Sequence, residues 1–256
     1  MPTTEDLLLG GRILYRQPAT GFRSGIEPIM LAAAVPARPG ERVLEAGSGA
    51  GAGLLCLALR VPGVQLTGVE MQPAMADLAL ANVRANGFTG IQIIADRIET
   101  APLAPTFDHA MANPPYHHPH GSTSPDVSRE TAKRGSDQLL SDWIGRLSGV
   151  LRRRGSLTLI TPAAMVPTCL AAMKAARCPC TSLFPLWPKL GRPAKLVMLR
   201  GIKDARTPLI LTPGMVLHRP DGSYSEAAQA VLADAAALPV DLARANYPNT
   251  PTADSA

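Results

Sequence analysis

Residues 41–60 read ERVLEAGSGAGAGLLCLALR, a short apolar run that leads into glycines and then into a second apolar stretch. A β-strand, a glycine-rich turn and an α-helix in this order open a parallel sheet wrapped by helices. Glycine lets the backbone approach a ligand because no Cβ stands in the way, and a helix N-terminus adds unpaired N–H groups. The stretch therefore predicts an α/β fold with a binding site at the turn.

The next residues repeat the alternation of strand and helix. Three further strands are predicted, and the helix between the first two starts at Pro73 and ends just before Gly87. The strands are apolar without strict alternation, as expected when helices cover both faces of a sheet. Their sequences are VQLTGVE (64–70), IQIIADR (91–97) and FDHAMA (107–112). The pattern predicts a Rossmann-like sheet.

The second half of the chain is less regular. Its polar start, 122–138, is expected to be a mobile loop or a loosely held helix start. A helix over 142–155, a strand over 156–160 and a helix over 163–177 should follow, and the runs 180–187 and 194–203 predict an antiparallel hairpin that closes the sheet. We thus expect an N-terminal segment (1–40), one domain (41–240) and a disordered tail (241–256).

Composition narrows the class of protein. The chain has 256 residues, of which 46% are hydrophobic and 18% charged, as in soluble globular proteins. No apolar run approaches the roughly 20 residues that span a bilayer, and no secretory signal is recognised, so a cytoplasmic location is expected. The net charge of +5 is modest evidence for a polyanionic partner. The four cysteines fit neither a zinc pair nor a disulfide framework, and we expect reduced, structural thiols.

The glycine turn alone does not identify its ligand. Gly47, Gly49 and Ala52 satisfy the dinucleotide pattern G-x-G-x-x-G/A, and Glu70 ends the second strand where such folds place an acid on ribose hydroxyls. A tight turn without ligand and an ordinary surface glutamate are the structural alternatives. Together with the fold context, the residues indicate a nucleoside cofactor.

Asn113-Pro114-Pro115-Tyr116 ends the fourth strand, at the edge where open parallel sheets bind ligands. An exocyclic amine needs hydrogen-bond acceptors that turn its lone pair toward an electrophilic methyl, and the Asn113 side-chain oxygen and the Pro114 carbonyl can serve. Prolines fix φ and remove competing donors, and Tyr116 can stack on the flat group that carries the amine. The alternative is a rigid turn. Asp96 ends the third strand and can either accept from an adenine amine or cap the next short helix.

EAGSGAG (45–51), VE (69–70), AD (95–96) and NPPY (113–116) in this order resemble class I S-adenosylmethionine-dependent methyltransferases that methylate amines. The segment 7–36 resembles the N-terminal segment of the bacterial tRNA adenine-N6 methyltransferases that act beside the anticodon of a valine tRNA. Gln17-Pro18, Gly21-Phe22-Arg23 and the run 25–31 match its order, whereas Glu27, Glu45 and Ser48 depart from the commoner residues.

The resemblance implies a Rossmann-like, mostly parallel sheet of seven strands with an antiparallel C-terminal hairpin, S-adenosylmethionine as cofactor and tRNA as partner. It implies catalytic roles for Asn113, Pro114 and Tyr116, and an N-terminal segment (1–40) that packs on the cofactor pocket. The implied cofactor contacts are Gly25, Glu45, Gly47, Gly49, Gly51, Glu70, Met71, Asp96, Arg97 and Asn113. Tyr116, Arg129, Lys133 and Arg134 are the candidate RNA contacts, and solvated surface charge is the alternative for each cation.

Other readings stay open. N-P-P-Y also occurs in methyltransferases for a protein glutamine and for DNA adenines, although about 40 residues before the fold leave no room for the extra domains of those enzymes. Another RNA adenine is a further alternative. A non-catalytic RNA- or protein-binding module that keeps the cofactor and an NAD oxidoreductase are two further alternatives. We expect a monomer and no metal, because His117, His118 and His120 lack the spacing of a helix-borne ligand pair.

Overall fold

The computed structural model describes residues 2–20, 23–114 and 126–241, and in 126–136 it describes the backbone alone. A central sheet of nine strands carries helices on both faces. Its strands are β3 (Arg42–Ala46), β4 (Gln65–Glu70), β5 (Ile91–Ala95), β6 (Phe107–Ala112), β7 (Leu151–Pro162), β8 (Cys180–Trp187), β9 (Leu196–Ile202), β10 (Ile210–Leu211) and β11 (Met215–Val216). A separate antiparallel hairpin of β1 (Thr3–Leu8) and β2 (Ile13–Pro18) precedes them. The helices are α1 (Glu27–Ala34), α2 (Ala52–Arg60), α3 (Pro73–Ala85), α4 (Asp126–Val150), α5 (Val166–Ala175) and α6 (Glu226–Asp234).

The strand order is β10-β8-β9-β7-β6-β3-β4-β5, with β11 paired to β8. All neighbours from β5 to β7 run parallel, whereas β9 is antiparallel to both β7 and β8. The predicted Rossmann-like sheet and its antiparallel closing hairpin are confirmed. The sheet contains β10 and β11 in addition to the seven predicted strands. Each has only two residues, too few for a recognisable sequence pattern.

Side chains from alternate positions of the strands fill two hydrophobic cores. Val43 of β3 belongs to the core that α1, α2 and α6 cover, and Leu44 belongs to the core that α4 and α5 cover. Because neighbouring residues of a strand point to opposite faces, β3 must be apolar at both positions. Its near-continuous apolar run is therefore the sequence signature of a central strand.

The boundary between α4 and β7 corrects the prediction. The helix expected over 142–155 is α4, which starts at Asp126 and ends at Val150, and residues 151–155 begin the next strand. Leu151 pairs with Phe107 of β6, and the register then shifts before His109 pairs with Ser156. Arginines favour helices in isolation, but this long-range pairing decides the local conformation.

Several individual features of the chain can also be located in the structure. His109 is buried in β6, and its two ring nitrogens make hydrogen bonds to Ser156 Oγ and Glu41 Oε2 at 2.7 and 3.0 Å. Cys178 and Cys180 are buried thiols, as predicted, and burial raises the pKa of each to about 12. The predicted tail lies outside the described residues from 242 onward. No helix in the described ranges is both long and apolar enough to cross a membrane.

Candidate active site

The carboxyl ends of four parallel strands meet at one edge of the sheet. Ala46 at the end of β3 pairs with Val69 of β4 on one side and with Ala112 of β6 on the other, and Glu70 pairs with Ala95 of β5. The residues that follow these strands are Gly47, Met71, Asp96 and Asn113. Segments that the sequence separates by up to 66 residues thus form one continuous edge.

The turn after β3 is built from glycines in the left-handed region. Gly47, Gly49 and Gly51 have φ of +67°, +54° and +89°, which side chains with a Cβ rarely adopt. The N–H groups of Gly47 and Ser48 donate to Val69 O at 2.8 and 3.2 Å, so the turn is tied to the end of β4. A Cβ built on Gly49 would meet no atom closer than 3.8 Å. At Gly49 a side chain would thus meet only an ordinary contact with Met75, whereas the conformation of the turn itself favours glycine.

Glu70 fixes this turn from the end of β4. Its carboxylate is buried, Oε2 accepts from the Gly49 N–H at 2.9 Å and Oε1 accepts from the Gln72 N–H at 2.8 Å. Each carboxylate oxygen has a second lone pair, so the same group can still accept hydrogen bonds from two neighbouring hydroxyls. This burial excludes the alternative that Glu70 is an ordinary surface glutamate.

Glu45 is the least solvated carboxyl of the site. It is 4% exposed, and its Oε2 makes no hydrogen bond among the residues that the structure describes. Burial raises its pKa to about 8, against a smaller opposing effect of the Leu54 N–H at the start of α2. Ser48 Oγ, on the turn itself, is a second buried polar atom for which no hydrogen bond is found in the described part of the chain. Two buried polar atoms without a hydrogen-bond partner therefore lie at the glycine turn, where a polar ligand could satisfy them.

Asp96 and Met71 flank the turn on the β4–β5 side. Asp96 Oδ1 accepts from the Arg97 N–H and from Thr100 Oγ1 at 2.7 and 2.8 Å, so the carboxylate caps the following turn, as one of the two readings expected. Met71 is 58% exposed, unusual for a large apolar side chain. Arg97 is exposed and lies 3.5 Å from the Glu99 carboxylate. At this edge of the sheet, Asp96 thus offers a carboxylate and Met71 an exposed apolar side chain.

Asn113 and Pro114 stand at the end of β6, every residue of which is buried. Asn113 is half-buried and Pro114 is buried. Pro115, Tyr116 and the three neighbouring histidines lie outside the described residues, and Arg129, Lys133 and Arg134 are placed on α4 by their backbone. Among the described residues no group of histidines, cysteines and acids could hold a metal ion.

The sequence reading missed two asparagines on α3 that fasten the N-terminal hairpin. Asn86 accepts from Leu14 N–H and donates to Leu14 O at 2.9 and 2.7 Å. Asn82, fully buried, does the same with Arg16 at 3.0 and 2.8 Å and also donates to Ala50 O at 3.0 Å. Residues four apart share one face of a helix, so the spacing was a usable signal.

Gln17, which was part of the N-terminal motif, lies on the same hairpin. It is buried, donates to Asp6 Oδ2 at 2.6 Å and accepts from the Ser24 N–H at 2.9 Å. Gly25 follows in an exposed turn where the Glu27 carboxylate folds back over the glycine, in the space that a Cβ would fill. The hairpin thus reaches the start of α1, and Asn82 links it to the glycine turn.

Trp143 is a further residue of the site that the sequence analysis did not identify. It comes from α4, is 9% exposed and packs on the glycine turn so closely that a Cβ on Gly47 would lie 2.9 Å from its ring. A tryptophan in an amphipathic helix is usually a core residue, and only the fold brings it to this turn.

Comparisons with known proteins agree with this geometry. Residues 43–134 match the family described as a methyltransferase domain. A tRNA1(Val) (adenine(37)-N6)-methyltransferase of Porphyromonas gingivalis is 30% identical over 172 residues, which cover 63% of this chain and 66% of the relative. One of Aeromonas hydrophila is 28% identical over 212 residues, or 80% and 86% of the two chains. The chain thus spans slightly less than two thirds of the Porphyromonas relative.

A solved structure shares the fold. The crystal structure of a predicted O-methyltransferase from Agrobacterium tumefaciens superposes with a TM-score of 0.67 at 22% identity and covers 83% of this chain and 98% of that chain. At this identity the likeness concerns the architecture, which is the arrangement of sheet, helices and ligand-binding edge described above.

Proposed function

We propose that this chain, which belongs to the class I S-adenosylmethionine-dependent methyltransferases, methylates the exocyclic N6 amine of an adenine in tRNA. One observation carries the proposal: Ala46, which leads into the glycine turn, pairs directly with Ala112, which leads into Asn113. A cofactor at the turn and an acceptor amine at Asn113 would therefore be neighbours. The curated relatives, named for tRNA adenine-N6 methylation, support the choice of substrate.

The residues at the sheet edge fit the cofactor. S-adenosylmethionine, when bound, supplies an electrophilic methyl group on a positively charged sulfonium. Gly47 and Gly51 would shape the turn through their positive φ, Gly49 would allow the close approach of the cofactor, and Glu70 would accept hydrogen bonds from ribose hydroxyls. Met71, Asp96 and Arg97 would flank the adenine, and Glu45 and Gly25 would lie toward the methionine end.

Asn113 and Pro114 would act on the acceptor amine. The lone pair of an adenine N6 is delocalised into the ring, so the amine needs acceptors for both of its N–H groups rather than a strong base. The Asn113 side-chain oxygen and the Pro114 carbonyl are such acceptors, and they end a buried strand that holds them in place. Fixed acceptors of this kind lower the barrier because they need no reorganisation during the reaction.

The remaining proposed contacts concern the RNA. Tyr116 would stack on the target base, which must leave its stack to reach the pocket. Arg129, Lys133 and Arg134 would contact phosphates from α4. These roles rest on the sequence and on the position of α4 beside the site.

Transfer of labelled methyl from S-adenosylmethionine to total tRNA, total rRNA and a protein extract tests the proposal, with the wild type and Asn113→Ala side by side. We expect label in tRNA that digests to N6-methyladenosine and disappears with Asn113→Ala, while calorimetry finds nearly unchanged cofactor affinity. Label in protein alone, or no label despite tight cofactor binding, would show that the substrate is wrong. Loss of cofactor affinity in Asn113→Ala would contradict the assigned role of that residue.

A further inference from the structure

A groove of about 930 Å³ lies on the edge of the sheet opposite the candidate active site. Three separate segments line it: the start of β7, the end of α5 with the turn that follows, and the residues after β9. We call it the basic groove. Its charged residues are Arg153, Arg154, Lys174, Arg177, Asp204 and Arg206.

The charges of the basic groove are unbalanced. Five cations face a single carboxylate, which leaves four positive charges, in a chain whose whole net charge is +5. Arg177 Nη2 lies 2.8 Å from Asp204 Oδ1. For the side chains of the other four cations the structure gives no hydrogen bond or ion pair within the described ranges. The basic groove therefore carries a local excess of positive charge, which would attract a polyanion.

The backbone around the basic groove is rigidly connected. Lys203 N–H donates to Gly155 O at 2.9 Å, Arg154 N–H donates to Lys203 O at 3.2 Å, and Asp204 N–H donates to Arg177 O at 2.8 Å. These bonds join the three segments directly. The cations consequently stand on a preformed surface rather than on independent loops.

Strained backbone is concentrated at the same place. Arg154, Arg177 and Asp204 have φ of +68°, +56° and +56°. They are three of the five residues other than glycine with positive φ in the described part of the chain. Such conformations are costly for residues with a Cβ and tend to persist at functional sites. The protein tolerates this strain in each of the segments that present cations.

The basic groove is far from the reacting groups. His109 pairs with Ser156 near the start of β7, and Ala112, just before Asn113, pairs with Leu159. The register shift places Arg154 between the levels of Phe107 and His109, so at about 3.3 Å per residue it lies about 13 to 20 Å from the level of Asn113 along the strands. Phosphates of a stacked strand are about 3.4 Å apart along its axis, as in duplex DNA, so this distance corresponds to about four to six nucleotides.

We propose that the basic groove binds the phosphate backbone of the RNA substrate at a point remote from the methylated base. The nature of the substrate rests on the proposed function; the groove itself does not. A guanidinium group can donate two parallel hydrogen bonds to two oxygens of one phosphate, and four of the five cations here are arginines. Because the two sites lie at opposite edges, a compact, folded RNA can engage both, whereas a short strand can engage only one.

The experiment compares two charge-matched variants. Arg153→Gln/Arg206→Gln removes two groove cations, and Arg38→Gln/Arg84→Gln removes two exposed cations elsewhere. None of the four side chains makes a hydrogen bond or ion pair in the described part of the chain, so folding should be unaffected. Affinity for total tRNA is measured from low to high salt, and affinity for an adenine-containing oligonucleotide of about three nucleotides, too short to reach both sites, is measured in parallel.

We expect the groove variant to bind tRNA at least about tenfold more weakly at 0.1 M salt, with a salt slope lower by about 1.5, since each phosphate contact contributes about 0.7–0.9. The control variant should bind tRNA like the wild type, and both should bind the short oligonucleotide equally. Equal losses in the two variants, or none in either, would overturn the proposal. If the groove variant loses RNA binding but the wild type produces no N6-methyladenosine, the groove assignment stands and the proposed reaction fails.

Discussion

The Glu70 carboxylate accepts a hydrogen bond from the Gly49 N–H at 2.9 Å, so the end of β4 holds the glycine turn that follows β3. The end of β4 and the glycine turn, which are separate motifs in the sequence, thus form one structural unit. An acid at this position can fix the turn and receive a ligand with the same carboxylate.

Glu70→Ala should therefore affect both stability and cofactor binding. It leaves the N–H groups of Gly49 and Gln72 without their acceptor, and we expect a loss of about 1–3 kcal/mol in the free energy of unfolding. S-adenosylmethionine affinity should fall at least tenfold. Urea unfolding and calorimetry measure the two effects, and Gln72→Ala, which keeps the backbone N–H, is the control. Unchanged cofactor affinity in a folded Glu70→Ala protein would remove Glu70 from the site.

Gly47→Ala should disrupt the turn for two reasons. The residue has φ +67°, and a Cβ would lie 2.9 Å from the Trp143 ring. Gly40→Ala separates these reasons, because Gly40 has φ +83° with no atom within 4 Å of a Cβ. We expect about 1–2 kcal/mol of destabilisation for Gly40→Ala and about 1–3 kcal/mol more for Gly47→Ala.

Shortening the tryptophan tests the origin of that difference. In the Gly47→Ala background, Trp143→Leu should cost less stability than the same change in the wild type, because it removes the clash. Additive effects in this double-mutant cycle, measured by urea unfolding, would mean that Trp143 does not constrain the turn.

The sequence predicted those features of the fold that depend on neighbouring residues and missed those that depend on contacts between distant segments. The strands β3 to β6 and the glycine turn were predicted because each depends on neighbouring residues alone. The start of β7 was assigned to a helix because its pairing with Phe107, 44 residues earlier, is invisible locally. Trp143 and the hairpin contacts of Asn82 arise only when distant elements pack, and the basic groove combines three such segments.

Glu45 should make stability depend on pH. Burial raises its folded pKa from the ordinary 4.5 to about 8, so between these values the folded protein holds a proton that the unfolded chain has released. Stability therefore falls as pH rises through this window, by at most about 1.4 kcal/mol per pH unit from this group. In Glu45→Gln the side chain stays neutral and that contribution vanishes. Urea unfolding from pH 5 to about pH 8.5 should show the variant gaining on the wild type as pH rises; parallel curves would refute the assignment.

Asn82→Ala should loosen the attachment of the N-terminal hairpin to the rest of the fold. The Asn82 amide is fully buried. In the described part of the chain it is the only side chain that makes hydrogen bonds both to Arg16 of β2 and to Ala50 of the glycine turn. Its loss leaves backbone groups unpaired, and we expect about 1–3 kcal/mol of destabilisation. Hydrogen exchange should accelerate at Leu14 and Arg16 more than in the central sheet, since β2 pairs otherwise only with β1.

The control for this last change is Asp77→Ala, on an exposed position of the same helix, which should leave exchange in β2 unchanged. Cofactor affinity decides what the hairpin does. If Asn82→Ala weakens S-adenosylmethionine binding while the central sheet stays protected, the hairpin supports the cofactor pocket through Ala50, as we propose for residues 1–40. If binding is unchanged while β2 exchanges freely, the hairpin is a separate attachment and Asn82 serves stability alone.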